Sequence, residues 1–206
     1  MLESITLKNY KSFENETHIE IKPLTILCGV NSSGKSSILK SLLMMKQSCQ
    51  NHNTKGEVSY NDKYVNNGSF ESMAFDINKP VVIENKFRIK STSSIDRNMY
   101  KELYRNIFGK SLNSKDLSHS SYKKNDFEVA YKIEIRKKMI IKYNISIFYY
   151  KLSKPITIIL TSSGDNNYVV KINNLMINNE EYTSLNNVGI RTICYFDGVS
   201  ITNLYT

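Results

Sequence analysis

Residues 28–40, CGVNSSGKSSILK, contain the residue types and spacing that most clearly indicate chemistry in this chain. Gly29, Gly34, Lys35 and Ser36 follow the pattern GxxxxGK[ST], which is typical of a loop that binds nucleotide phosphates. The two glycines let backbone N–H groups converge on phosphate oxygens, because a Cβ would hinder this close approach. Lys35 would reach the β- and γ-phosphates, and the Ser36 hydroxyl would coordinate Mg²⁺. The motif therefore predicts a nucleotide site with a bound magnesium ion.

A phosphate-binding loop needs a strand before it and a helix after it, and the sequence predicts both. Residues 24–28 are a nearly continuous apolar run, which is typical of a strand buried on both faces. After Lys35, apolar residues recur at helical spacing to about Cys49, which predicts an amphipathic helix. That helix would direct the positive end of its dipole at the phosphates. The alternative is a Gly- and Ser-rich turn that caps a core helix, and it leaves the strand and the Lys-Ser pair unexplained.

Residues 1–80 resemble the ATP-binding-cassette heads of the SMC, RecF and OLD branch of AAA-type ATPases. The segment Asn9-Tyr10-Lys11-Ser12-Phe13 matches the N-[FY]-[KR]-[SC]-[FY] segment that precedes the phosphate loop in that branch. YVNNGSFESMAF, residues 64–75, resembles the next part of stand-alone bacterial ATPases linked to DNA repair or to defence against phages. The resemblance implies an α/β P-loop NTPase core, the N-terminal half of a head, with ATP and Mg²⁺ as cofactors.

The resemblance also implies roles for individual residues. Asn31 matches the Asn of the family's GxNGxGKS loop, and Ser32 replaces the commoner Gly, where a backbone N–H serves from either residue. Lys11 would lie near the phosphates or sugar, and a surface lysine without that role is an equally good interpretation. Gln47, near the helix end, is not predicted to be a catalytic glutamine. Lys35 is the predicted catalytic residue and Ser36 the predicted metal ligand, and the predicted nucleotide-binding set is Gly29, Asn31, Ser32, Ser33, Gly34, Lys35, Ser36, Ser37 and Lys11.

After residue 80 the sequence changes from the P-loop pattern to strand patterns. Residues 81–177 alternate apolar and polar side chains and predict a basic, antiparallel β-rich lobe. A polar insertion at about 91–121 interrupts it and includes a short predicted helix at 98–108. Residues 178–206 are predicted to be the start of the following core segment, truncated. The expected fold class is therefore an incomplete α/β core of the ATP-binding-cassette type with an antiparallel β lobe.

The net charge of +9 lies entirely in the second part of the chain. Residues 1–84 hold nine Lys or Arg and nine Asp or Glu, whereas residues 85–206 hold nineteen against ten. Clustered cations release counterions from phosphates, so the asymmetry predicts a DNA or RNA partner. Lysines that protect exposed strands and a lysine-rich coding bias explain it equally well.

Two parts of an ATPase site are missing from the sequence pattern. A Walker B strand should end in Asp-Glu, and residues 192–198, TICYFDG, end in Asp-Gly. The Ser-Gly signature should open a helix, and Ser162-Ser163-Gly164 falls in a predicted hairpin turn. We expect either a fragment or naturally truncated product, or a site that another polypeptide completes. ATP hydrolysis is expected of the completed site, and the alternative is a non-catalytic module for ATP-dependent assembly or nucleic-acid binding.

Composition and the resemblance limit the partners and the compartment. No apolar run is long enough to cross a bilayer, and charges occupy the N-terminus where a signal peptide has its apolar core. The chain is therefore predicted to be cytoplasmic, without a membrane partner. The three Cys and three His are scattered, which predicts neither a disulfide framework nor a Cys/His metal site. The resemblance implies a homodimer or larger assembly through ATPase heads, with an effector protein such as a nuclease or toxin as a further partner.

Overall fold

A computed structural model gives the architecture of both sequence regions. It describes residues 1–50, 57–90, 126–149, 152, 154–164, 167–177, 180–189, 195–196 and 199–200. The helices and strands are β1 (Leu2–Lys8), β2 (Thr17–Glu20), α1 (Lys35–Gln50), α2 (Phe70–Met73), β3 (Val81–Ile89), β4 (Phe127–Arg136), β5 (Met139–Phe148), β6 (Ile156–Gly164), β7 (Asn167–Ile177), β8 (Glu180–Gly189), β9 (Tyr195–Phe196) and β10 (Val199–Ser200). The helix predicted at 98–108 lies outside the described residues. Across the described ranges, no helix combines the length and the apolar character needed to span a membrane.

Eight antiparallel strands form one sheet in the order β2-β1-β3-β4-β5-β6-β7-β8. Strand β1 lies between β2 and β3, so that Ile5 is opposite Ile19 on one side and Asn85 on the other. Antiparallel strands fill the described parts of residues 81–177, as the alternation predicts, and continue to residue 189. Within the described residues no pair of strands is parallel, so the sheet expected of an α/β core is not shown. The domain division at residue 80 stays a prediction, and β1 and β2 share their sheet with the lobe.

The period of two along each strand separates a buried face from a polar face. In β3, every second residue from Val81 to Ile89 is buried, and β4 repeats this from Phe127 to Ile135. Ring stacking adds cross-strand contact, with the Phe87 and Tyr131 centroids 5.6 Å apart. The buried side chains of the strands join those of α1 in one hydrophobic core.

The polar face of β3, β4 and β5 pairs its cations with carboxylates. The ion pairs on this face are Lys86–Glu128, Arg88–Glu3, Arg88–Glu128, Lys132–Glu84 and Lys142–Glu134. The hydrogen bond to Glu3 raises the pKa of Arg88. Partly exposed pairs of this kind add little stability, but they offset charge locally. The charge of these cations is therefore offset on this part of the described sheet, and the nucleic-acid partner stays a prediction.

The strand predicted at residues 24–28 is wrong for this structure. No described strand pairs with the segment, and residues 24–28 form no strand. Leu24 is 79% exposed and Ile26 is 75% exposed, whereas Leu27 is partly buried against the core. A strand requires a neighbour that satisfies its backbone N–H and C=O groups, and the apolar run alone does not supply one. The helix predicted after it is confirmed, because α1 begins at Lys35 and ends at Gln50.

The C-terminal half of α1 is tied to the irregular segment that follows it. Gln47 is 1% exposed, and its amide donates to the carbonyl oxygens of Ser59 at 2.7 Å and Val65 at 3.2 Å. Its side-chain oxygen accepts from the N–H groups of Tyr64 and Val65. All of these bonds are to backbone, so Gln47 has a structural role, which agrees with its exclusion as a catalytic glutamine.

Replacing Gln47 by leucine should lower the free energy of unfolding by about 2–4 kcal/mol, because four backbone groups of the segment lose their buried partner. Chemical denaturation monitored by circular dichroism measures the change. Gln50→Leu is the matched control, since Gln50 is exposed at the end of the same helix and should change stability by less than about 0.5 kcal/mol. Equal effects of the two substitutions would contradict the role assigned to Gln47.

Ile26→Ala should change the free energy of unfolding by less than about 0.5 kcal/mol, because the side chain is mostly exposed. Ile5→Ala makes the same chemical change at a fully buried position of β1 and should cost about 2–5 kcal/mol. Denaturation of both variants gives the comparison. A loss at Ile26 as large as that at Ile5 would mean that residues 24–28 form the buried strand that the sequence predicts.

Candidate phosphate-binding site

The backbone of residues 29–36 is a tight loop with three left-handed positions. Gly29, Ser32 and Gly34 have φ angles of +151°, +64° and +97°. Glycine adopts such angles freely, whereas a residue with a Cβ loses about 1–2 kcal/mol. A glycine at position 32 would avoid the conformational cost that Ser32 has in this structure, and it would provide the same backbone N–H group.

Gly34 makes the closest approach in the site. A methyl group built on its Cα would lie 2.6 Å from Ser12 Oγ and 2.8 Å from the Phe13 ring. Any larger residue at Gly34 would therefore push the phosphate loop away from residues 12–13. The motif predicts both loop glycines, but this contact with the segment before β2 is visible only in the fold.

Helix α1 begins directly after the loop. The Gly34 carbonyl accepts from the N–H groups of Ser37 at 2.9 Å and Ile38 at 3.2 Å, which closes the first helical turn. Within the described residues, the N–H groups of Ser32, Lys35 and Ser36 donate to no protein acceptor. Unpaired N–H groups at a helix start attract anions, and the helix dipole has the same sign.

The Lys35 side chain lies back across the loop that precedes it. Its amino group donates to the carbonyl oxygens of Gly29 at 2.7 Å and Val30 at 2.6 Å, and Ser33 Oγ lies 3.4 Å away. The only cation of the loop is thus held within the loop itself. An incoming phosphate would compete with the two carbonyl groups for this amino group.

The other predicted residues of the loop are brought together on the surface. Asn31, Ser32, Ser33 and Ser36 are exposed. Because the Ser37 N–H already bonds Gly34, a contribution from Ser37 would come from its hydroxyl. Across the described residues, no group of three or more His, Cys, Asp or Glu could hold a metal ion. The exposed hydroxyl of Ser36 fits the predicted role in Mg²⁺ binding, where phosphate oxygens and water complete the coordination.

Lys11 lies on the segment that contacts Gly34, but its amino group is engaged elsewhere. It donates to the carbonyl oxygens of Asn67 at 3.3 Å and Ser72 at 3.1 Å. Partial burial and then the nearby charge of Lys40 lower the pKa of Lys11. Its predicted contact with a nucleotide stays a prediction, and its contacts here join residues 9–13 to residues 67–72.

Asn9, the first residue of the segment that resembles the family motif, has a structural role that the sequence analysis did not predict. Its side-chain amide donates to the carbonyl oxygens of Asp76, Lys79 and Pro80, and its side-chain oxygen accepts from the Asp76 N–H at 2.6 Å. Its backbone is left-handed, with a φ of +54°, a conformation that Asn tolerates better than most residues. The presence of Asn at this position is therefore the feature of the sequence that could have indicated a left-handed turn.

A family model described as an AAA ATPase domain matches residues 1–195, which is most of the chain. No curated protein and no solved structure matches.

Ser32→Gly should raise the free energy of unfolding by up to about 1 kcal/mol, because relief of the left-handed strain exceeds the added flexibility of glycine in the unfolded chain. Ser33→Gly is the control in the same loop, at a residue whose φ is not positive, and should cost about 0.5–1 kcal/mol. Thermal denaturation of the two variants measures the difference. The same sign of change in both would show that Ser32 is not strained in solution.

Proposed function

The chain belongs to the AAA ATPase domain family, and on that premise we propose that it is the ATP-binding head of an SMC/RecF/OLD-like ATPase. The observation that carries the proposal is the loop of residues 29–36, which combines unpaired N–H groups with the Lys35 amino group at the start of α1. ATP and Mg²⁺ are the ligands that the family generally uses.

In the proposed complex, the backbone N–H groups of the loop bind phosphate oxygens, and the start of α1 adds its positive dipole. The Lys35 amino group exchanges the carbonyl oxygens of Gly29 and Val30 for the β- and γ-phosphates. Bound Mg²⁺ neutralises phosphate charge and fixes the geometry of the phosphate chain. Ser36 is its proposed protein ligand, and Asn31, Ser32, Ser33 and Ser37 complete the proposed loop contacts.

We further propose that ATP drives the association of two heads and that hydrolysis resets it. A nucleic acid or an effector protein, such as a nuclease or toxin, would read the associated state. The support is the resemblance of residues 9–13 and 64–75 to the SMC, RecF and OLD branch, and the roles in DNA repair or anti-phage defence rest on the same resemblance.

A second candidate is a non-catalytic module that binds ATP to control assembly. One observation favours it: Tyr195–Phe196, in the apolar run compared with a Walker B strand, pairs with Val199–Ser200 in a separate two-stranded sheet. In the expected ATPase core, a Walker B strand would instead lie beside residues 24–28, which form no strand in this structure. Both candidates share the ATP-binding step and differ in turnover.

Lys35→Met should weaken ATP binding by at least about tenfold, because the cation that faces the phosphates is removed while the loop glycines remain. Isothermal titration of the chain with ATP and Mg²⁺ measures the affinity. Lys46→Met is the matched control, since Lys46 lies on the same helix over the Tyr64 ring, away from the loop.

Phosphate release in the same samples separates the two candidates. Turnover that Lys35→Met abolishes supports the ATPase, and binding without turnover supports the non-catalytic module. No ATP binding by the unaltered chain would overturn both.

A further inference from the structure

Residues 9–13 form a rigid turn next to the phosphate loop. Tyr10 and Phe13 exchange two backbone hydrogen bonds of 3.0 and 2.8 Å, and the Asn9 N–H donates to the Glu14 carbonyl. Asn9 and Lys11 both have left-handed backbones, with φ angles of +54° and +53°. Such conformations persist only where surrounding contacts enforce them, so the turn has one well-defined shape.

Contacts outside the turn hold it in place. The Lys11 N–H donates to the Met73 carbonyl at 2.7 Å, and the Lys11 amino group bonds two further carbonyls of residues 67–72. The Asn9 side chain bonds the backbone of residues 76–80. The turn is therefore anchored at two positions, Asn9 and Lys11, to two different parts of the segment 67–80.

Ser12 lies at the tip of this turn and faces the phosphate loop. Its hydroxyl lies against the Gly34 backbone, since a methyl group on the Gly34 Cα would come within 2.6 Å of the Ser12 oxygen. Ser12 is exposed, and its hydroxyl has no hydrogen-bond partner within the described residues. Phe13 is partly buried in the core beside it, which fixes the direction of the tip.

We propose that Ser12 belongs to the phosphate-binding site and that its hydroxyl donates to a phosphate oxygen of the bound nucleoside triphosphate. The proposal rests on the proposed function, because it needs a nucleotide in the loop of residues 29–36. The hydroxyl is held by a rigid turn and lies against Gly34, the residue directly before the unpaired N–H group of Lys35. A phosphate bound at that N–H group would lie next to the residue that the hydroxyl contacts. A hydrogen bond to a charged phosphate is stronger than one to a neutral group.

The role of Ser12 is distinct from that of Lys11. The amino group of Lys11 is used to anchor the turn, whereas the Ser12 hydroxyl is available to a ligand. Lys11 thus acts here as a positioning residue, and Ser12 as the residue that would touch the phosphates.

Ser12→Ala should weaken binding of ATP, and of inorganic tripolyphosphate, by about tenfold at an unchanged melting temperature. Asn15→Ala is the matched control, since Asn15 is exposed on the same connection and outside the Gly34 contact. Ser12→Cys keeps one heavy atom beyond Cβ but replaces the hydroxyl by a larger and weaker donor, so it should also lose affinity, and it serves as a second variant if Ser12→Ala is unstable.

Unchanged affinity of both Ser12 variants, with binding lost in Lys35→Met, would overturn this proposal and leave the proposed function intact. Loss of ATP affinity with unchanged tripolyphosphate affinity would also overturn it, because the contact would then be to the nucleoside. Absence of binding by the unaltered chain would overturn the proposed function and this inference together.

Discussion

The contact between Gly34 and residues 12–13 is the constraint on which the candidate site depends. Because Gly34 has no side chain, its backbone lies directly against Ser12 and Phe13. The turn that carries these residues is bonded to residues 67–80, and those residues lead into β3. The phosphate loop is therefore connected to the large sheet through the packing of Ser12 and Phe13 on Gly34 and through the side-chain hydrogen bonds of the turn, so the loop and the sheet have a fixed relation in this structure.

The sequence predicts those features that depend on local periodicity and on residue type. The faces of β3 and β4 follow from strict alternation, and α1 follows from its apolar spacing. The glycines of the loop follow from the motif, since the left-handed angles of Gly29 and Gly34 are those that only glycine adopts freely. These predictions need no knowledge of the rest of the chain.

Features that depend on a distant partner could not be predicted in the same way. Residues 24–28 have strand propensity, but a strand forms only beside another strand, and propensity does not identify the neighbour. The strain at Ser32 and the two carbonyl partners of Lys35 depend on the path of the loop. The structural role of Gln47 is only weakly indicated by its position. It is a polar residue three positions after the buried Met44, and so lies on the core face of α1.

Charge illustrates how the fold changes the meaning of a composition. The lobe has an excess of cations in the sequence, yet Lys86, Arg88 and Lys132 of β3 and β4 form ion pairs with carboxylates of neighbouring strands. Cross-strand register decides which charges meet: Lys132 lies directly opposite Glu84, and Arg88 opposite Glu128. A net charge therefore does not by itself define a binding surface.

The two ends of α1 are fixed by different parts of the chain. Lys35 begins the helix at the phosphate loop, and Gln47 secures its last turns to the backbone of residues 59–65. A helix of 16 residues is about 24 Å long and resists compression along its axis. The helix therefore keeps a fixed length between the phosphate loop and residues 59–65. A displacement of the loop along the helix axis would move residues 59–65 by a similar distance.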